Sequence, residues 1–205
     1  MTKRLNSAGF TIVELMIATL VFATILLLCT YGLLQISRTY YKGVTGARTQ
    51  EAARGIIDDL SQSIQFGPGA VFAPAEAAYG AQGIYCAGGK RYTYVRDRQL
   101  VGNQHALVKD TPATCTSGTT AQNIGGPSPT LTADSRELLP RGMRLARFDI
   151  EPITGVADLY KITVRVVNGD TEVLNAAHDN CGSGRAGTQF CAMSELTTVV
   201  QKRVR

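Results

Sequence analysis

The chain has 205 residues, 44% of them hydrophobic, and a formal net charge of +5 at pH 7. So mild a basic balance is weak support for a polyanionic partner, and the absence of tryptophan argues against a platform for stacking sugars or bases. No internal repeat, P-loop, G-x-S-x-G, H-E-x-x-H or dinucleotide fingerprint occurs, so the sequence proposes no enzymatic activity and no cofactor.

Lys3 and Arg4 precede the stretch Gly9-Phe10-Thr11-Ile12-Val13-Glu14, and from Leu15 to Ser37 no residue carries a formal charge. At about 1.5 Å per residue that run covers roughly 35 Å, enough to cross the hydrocarbon core of a bilayer. Cationic flanks stay cytoplasmic, so the chain beyond Arg38 is expected on the other side. A secretory signal has a shorter apolar core, and no A-x-A-like site follows this one before Arg38. A plain anchor fits the length but leaves Glu14 unexplained, because a lone carboxylate at the edge of an apolar run is costly unless paired.

Gly9-Phe10-Thr11-Ile12-Val13-Glu14-Leu15-Met16 resembles the prepilin processing motif, G-F-T-x-x-E-L, of type IV pilins and type II secretion pseudopilins. The leaders of that family are short, basic and end in Gly, as Met1 to Gly9 does. The resemblance implies that a membrane aspartyl prepilin peptidase cuts between Gly9 and Phe10 and then methylates the new amine of Phe10. It implies further partners: other pilin subunits packed through the N-terminal helix, an inner-membrane assembly platform, and the membrane itself. The chemistry is consistent. Gly9 has no side chain, so a protease can hold the bond closely in extended form. The freed Phe10 amine is a cation at the membrane edge, and Glu14 is a carboxylate one helical turn on, able to pair with a neighbour's amine. Burying such a pair gains little net energy, whereas losing one partner costs several kcal/mol, so the pair acts mainly on register.

Beyond the apolar run, Ala53, Ile56, Ile57, Leu60 and Ile64 fall on one face of a continuing helix. Arg54 and Asp58 form an i, i+4 pair on the wet side, with Glu51 one turn earlier, and Gly67-Pro68-Gly69 ends the helix. Gly32, Gly43, Gly46 and Gly55 each cost about 1 kcal/mol against Ala and are expected to mark bends or local melting. Major pilins carry a Pro in the membrane half; none occurs here between Phe10 and Gln65.

The remainder reads as β-structure with long loops. Gly83 to Ala87, Arg91 to Arg96, Arg141 to Ile150, Leu159 to Val167 and Ser194 to Val204 are expected strands. In the third of these, Met143, Leu145, Phe148 and Ile150 are expected inside and the arginines outside. Asn168-Gly169-Asp170 predicts a hairpin turn into a strand over Thr171 to Leu174. Thr111 to Ser135, rich in Thr, Gly, Pro, Ser and Asn, reads as an exposed loop tied at Cys115. Cys29 lies in the apolar run and is expected as a small buried hydrophobe. Cys86, Cys115, Cys181 and Cys191 fall on the exported side and allow three disulfide pairings, of which the sequence-local one, Cys86–Cys115 and Cys181–Cys191, is favoured. Zinc is disfavoured, since no C-x-x-C occurs and His105 and His178 lack ligand spacing.

Within the family, Ala52 to Ile64 and Phe190 to Arg203 resemble stretches of PilW-like minor pilins and J-type pseudopilins. The expected fold is α+β and type IV pilin-like, a long N-terminal helix on an antiparallel β-sheet head. The expected segments are a cleaved leader (1–9), a transmembrane and filament-core half-helix (10–37), an amphipathic half-helix (38–66) and a head with disulfide loops (67–205). The expected function is a structural minor pilin, held in the inner membrane with its head outside and then moved into an extracellular filament. A J-like pseudopilin of a secretion system is built the same way. A different class is a pilus-tip adhesin or DNA-binding pilin reaching a host surface or DNA through Lys90, Arg91, Arg96, Arg98, Arg141, Arg144 and Arg147, with Tyr92 and Tyr94 interleaved.

Overall fold

The computed structural model describes residues 10–72, 82–100, 102–112, 114–116, 119–124, 129–183 and 187–203. The expected leader, with Gly9, lies outside them, as does Val204 at the expected end of the last strand. The class is α+β: one long N-terminal helix followed by antiparallel sheets. The chain divides into two compact units, the first ending at Tyr41 and the second beginning at Lys42.

Helix α1 (Ile12–Phe66) runs through both, unbroken at Gly32, Gly43, Gly46 and Gly55. The local melting expected at those glycines is not there. Across 55 residues, cooperative propagation outweighs four isolated propensity costs. In the first unit the helix has no core of its own: its large apolar side chains are exposed, from Ile12 at 79% to Val21 at 47%. Cys29 is exposed with them, not buried as expected, because none of the described residues covers it.

In the second unit α1 contributes one face to a core. Ala53, Ile56, Leu60 and Ile64 are buried there, spaced at i, i+3, i+7 and i+11 as an apolar stripe requires. They pack with side chains from two sheets. The first sheet has the order β1 (Gln82–Ala87), β2 (Lys90–Val95), β3 (Leu107–Asp110), β4 (Arg136–Glu137). The second has the order β5 (Met143–Pro152), β6 (Leu159–Asn168), β7 (Ala192–Gln201). All pairings are antiparallel. The expected antiparallel head thus consists of two sheets. They are joined where the segment after β2 bonds to β5: Asp97 N–H donates to the Leu145 carbonyl (2.9 Å) and Leu100 N–H to that of Met143 (3.1 Å). Tyr85, Tyr94 and Phe148 meet across this join, with ring centroids 5.2 to 5.8 Å apart. Such aromatic contacts add about 0.5–1.5 kcal/mol beyond the area they bury.

The β1–β2 hairpin turns on Gly88 and Gly89, with φ of +59° and +73°. A Cβ on Gly88 would stand 1.9 Å from the Ser63 carbonyl oxygen, so the last turn of α1 sits directly on the hairpin. Below it, Asp59 joins helix to sheet. Lys109 Nζ donates to Asp59 Oδ1 (2.6 Å), and the buried Tyr92 hydroxyl donates to Asp59 Oδ2 (2.9 Å) and stands 2.7 Å from Ser63 Oγ.

Several local expectations are corrected. Thr171–Val173 is a turn of 3-10 helix, so no hairpin strand follows Asn168-Gly169-Asp170; β6 instead pairs with β7 after a long excursion. Arg144 is buried rather than outward, because that excursion lies over it: its guanidinium donates to Asp97 Oδ1 (3.1 Å) and Thr171 Oγ1 (3.1 Å). β5 has a bulge between Leu145 and Arg147, which restores Phe148 and Ile150 to the core side. Within the expected exposed loop, Gln122 and Ile124 are buried, Ile124 against Val95 and Val108. Cys86 is bonded to Cys115 and Cys181 to Cys191.

Candidate functional site

The residues singled out for processing and assembly stand at the start of α1. Phe10 and Thr11 lie outside the helix, and Thr11 is its N-cap: the Thr11 carbonyl accepts the first helical bond from Leu15 N–H (3.1 Å). Glu14, three residues on, closes a reciprocal box. Thr11 N–H and Oγ1–H both donate to Glu14 Oε2 (2.9 and 2.8 Å), and Glu14 N–H donates back to Thr11 Oγ1 (3.2 Å). This satisfies amides that a helix start otherwise leaves open, an arrangement typically worth about 1 kcal/mol. The box is written in the sequence as T-x-x-E before an apolar run, a signal not read there. Both bonds to the carboxylate use Oε2; neither engages Glu14 Oε1.

Behind the box the helix is long and apolar enough to cross a membrane, with a mean hydropathy of 2.6 over its best 18 residues. It presents Leu, Ile, Val and Phe on all sides rather than as a stripe, the mark of an element surrounded by lipid or by other apolar helices. The carboxylate at its N-terminal edge is the one formal charge between Phe10 and Ser37.

The basic set on the head does not form a free cationic surface. Arg91 makes two bonds to the buried Asp110, at 2.9 and 2.5 Å, and another to the Thr120 carbonyl. Arg96 and Arg147 share Asp149, Arg144 is held by Asp97, and Lys90 donates to Thr111 Oγ1. Arg98 donates to the Ile124 carbonyl, and Arg141 lines an open cleft of about 450 Å³ with Arg48, Glu51 and Met143. Tyr92 and Tyr94 are core residues, 0% and 5% exposed, and offer no ring for stacking a base. Burial pushes the Tyr92 hydroxyl far above the usual phenol range.

Among the described residues no group of three or more His, Cys, Asp or Glu is placed to hold a metal ion. His105 and His178 each face one carboxylate, Glu137 at 3.2 Å and Asp97 at 2.8 Å. Glu137 also accepts N–H bonds from Leu107, Ala106 and Leu139. Its burial pushes the carboxyl up, against the pull of those donors.

Residues 4–30 match the family model of the prokaryotic N-terminal methylation motif. That match, with the single apolar N-terminal helix, supports a structural subunit of pilin or pseudopilin type that begins as a membrane-anchored precursor. Such a subunit is processed by a prepilin peptidase and assembles with other subunits of its kind. Neither the curated proteins nor the solved structures include a significant match to the chain.

Proposed function

We propose that the chain is a structural minor pilin of a type IV pilus, cut between Gly9 and Phe10 and methylated on the Phe10 amine. Residues 10–37 anchor it in the inner membrane and later enter the filament core, and the head beyond them lies outside. The observation that carries this reading is the methylation-motif match at the front of a helix whose large apolar side chains are exposed among the described residues. Lipid covers that surface before assembly, and the helices of neighbouring subunits cover it afterwards. A structural role also accounts for the head, in which Arg91 and Arg144 are paired internally and Tyr92 and Tyr94 are packed in the core.

Assembly turns on Glu14. Moving from the membrane edge into a core of packed helices desolvates its carboxylate, which is unfavourable unless a cation meets it. Cleavage creates that cation at Phe10, and Glu14 Oε1 is left over by the capping box to receive it from a neighbour. The test is Glu14→Gln, which keeps the shape and removes the charge. Processing and membrane insertion should be retained, while the amount of this subunit in sheared filaments, relative to membranes, should fall at least tenfold, as a coupling of about 1.4 kcal/mol or more implies. Equal incorporation would reduce Glu14 to an interfacial acid. Recovery of the wild-type subunit only from a secretion apparatus, never from pili, would move the chain to the J-like pseudopilins.

A further inference from the structure

The ribbon formed by β5 and β6 has a hollow end and a projecting end. At the hollow end, where Met143 pairs with Asn168, an open cleft of about 450 Å³ lies between α1 and the segment leading into β5. Ala52, Leu138 and Met143 line it with apolar surface, and Arg48 and Arg141 are exposed at its margin. Among the described residues neither arginine has an ion-pair partner, although Glu51 lines the same cleft. At the projecting end, beyond the pairing of Pro152 with Tyr160, the chain turns through Gly155 at φ +88°. Ile153 N–H donates to the Leu159 carbonyl (2.9 Å) and Val156 N–H to that of Ile153 (3.4 Å), so this tip is a built turn. It holds out Val156, 51% exposed, and the segment from Glu151 to Asp158 contains two acids and no cation. Lys161 stands across the ladder from Glu151 without forming an ion pair with it.

We infer that the tip of one copy of this chain seats in the cleft of the next, with Val156 on the apolar floor and Glu151 toward Arg48 and Arg141. The exposed charges act on register and orientation more than on affinity, and the apolar contact at Val156 excludes water.

The placement of the two ends gives this contact its direction. The ten residues of β5 put roughly 30 Å between tip and cleft. The tip lies beside the last turn of α1: Lys202 N–H donates to the Asp158 carbonyl (2.8 Å) and Arg203 N–H to that of Gln65 (3.0 Å). The cleft lies beside Arg48 to Gly55, about three turns earlier. A copy shifted along α1 by about the length of the ribbon therefore brings its cleft to the tip, with both helices pointing the same way. That common direction is what two precursors anchored in one membrane require. The contact is heterologous, so it repeats into an open stack and leaves one tip and one cleft at the ends. It uses neither the Phe10 amine nor Glu14, and so goes beyond the assembly step proposed above.

The experiment uses the full chain with Cys29→Ala, which removes the free thiol, made as two differently tagged copies in membranes of cells that also make the other subunits of its assembly. One copy carries Val156→Cys and the other Gly55→Cys, a cleft position where an added Cβ meets nothing within 4 Å. A short bis-maleimide should join these two about fivefold more than it joins Val156→Cys to Thr197→Cys, an exposed β7 site outside the cleft. Arg141→Glu in the cleft copy, or Glu151→Lys in the tip copy, should each lower the joined fraction about threefold, and the two together should restore it. That restoration also shows that neither reversal acts by unfolding the head. Equal joining at Gly55 and Thr197 overturns the inference, as do charge reversals without effect or without mutual rescue. Joining of Val156→Cys to a different subunit, and not to the Gly55→Cys copy, overturns it as well. Each of these outcomes leaves the filament reading standing, since that reading is tested separately through Glu14→Gln.

Discussion

The two parts of α1 share one uninterrupted backbone and differ in almost everything else. From Phe10 to Tyr41 the large apolar side chains are about half to four-fifths exposed; from Ala52 to Ile64 the apolar side chains are nearly all sealed. In the second part, hydrophobicity is rationed to a stripe, and Arg48, Glu51, Arg54 and Asp58 keep the other face wet. In the first part it is spent on every face. The lesson is that the second part is stabilised by its own chain, whereas the first is completed only by what surrounds it, lipid or other subunits.

The sharpest way to break that contrast is a matched pair of truncations. Leu60→Ala leaves a cavity at a site with 0% exposure and should destabilise the head by about 3 kcal/mol, within the 2–5 kcal/mol span of such changes. Leu27→Ala, at a 71% exposed site, should leave head unfolding within about 0.5 kcal/mol of wild type. Denaturant titration of the full chain in detergent, followed by head tyrosine fluorescence, measures both. An equal loss in the two variants would mean that the halves are not energetically distinct.

A smaller effect tests how the second half is fastened. Tyr92→Phe deletes the oxygen that bridges Asp59 Oδ2 and Ser63 Oγ, leaving Lys109 on Asp59 Oδ1, which should cost about 1–2 kcal/mol. The same titration reports it. Little change would place the attachment in apolar packing alone.

The smallest effect is one of pH. Burial raises the Glu137 carboxyl above its unfolded value, so the folded head holds that proton more tightly. Its contribution is fully present below the unfolded value near 4.5 and is lost as pH rises through the raised one. Head stability should therefore carry a small decline on leaving the acid side, and Glu137→Gln should remove it. The first half of α1 should contribute nothing to the difference between the two profiles.

How much of this was legible follows from range. The apolar run and the Ile56, Leu60, Ile64 stripe are one-dimensional signals, and β6 declares itself by alternation from Leu159 to Val167. β3 and β4, of four and two residues, are too short to show a period, and only their pairing with β2 and with each other makes them strands. Arg144 reads as outward because nothing near it in sequence reveals that Thr171 and its loop will lie over it. Asn168-Gly169 has the composition of a tight hairpin, but Gly169 at φ +148° and the bond from Cys181 to Cys191 lead the chain elsewhere. The pairing of Arg91, Arg96 and Arg144 was hidden for the same reason: Asp110, Asp149 and Asp97 lie 19, 53 and 47 residues away from them. Thr11 is the opposite case, a local signal lying in plain view beside a louder one.

The bulge in β5 also governs which changes of length this strand can absorb. Inward and outward positions form a parity, and the extra residue at Ala146 switches it midway, so Met143 and Leu145 on one side of it and Phe148 and Ile150 on the other face the same core. Removing Ala146 would restore plain alternation and still leave Met143, Leu145, Phe148 and Ile150 on one face. Removing a residue elsewhere, such as Asp149 between Phe148 and Ile150, would turn Ile150 to the other face. Across related chains, β5 should therefore gain or lose a single residue at the bulge and nowhere else along its length.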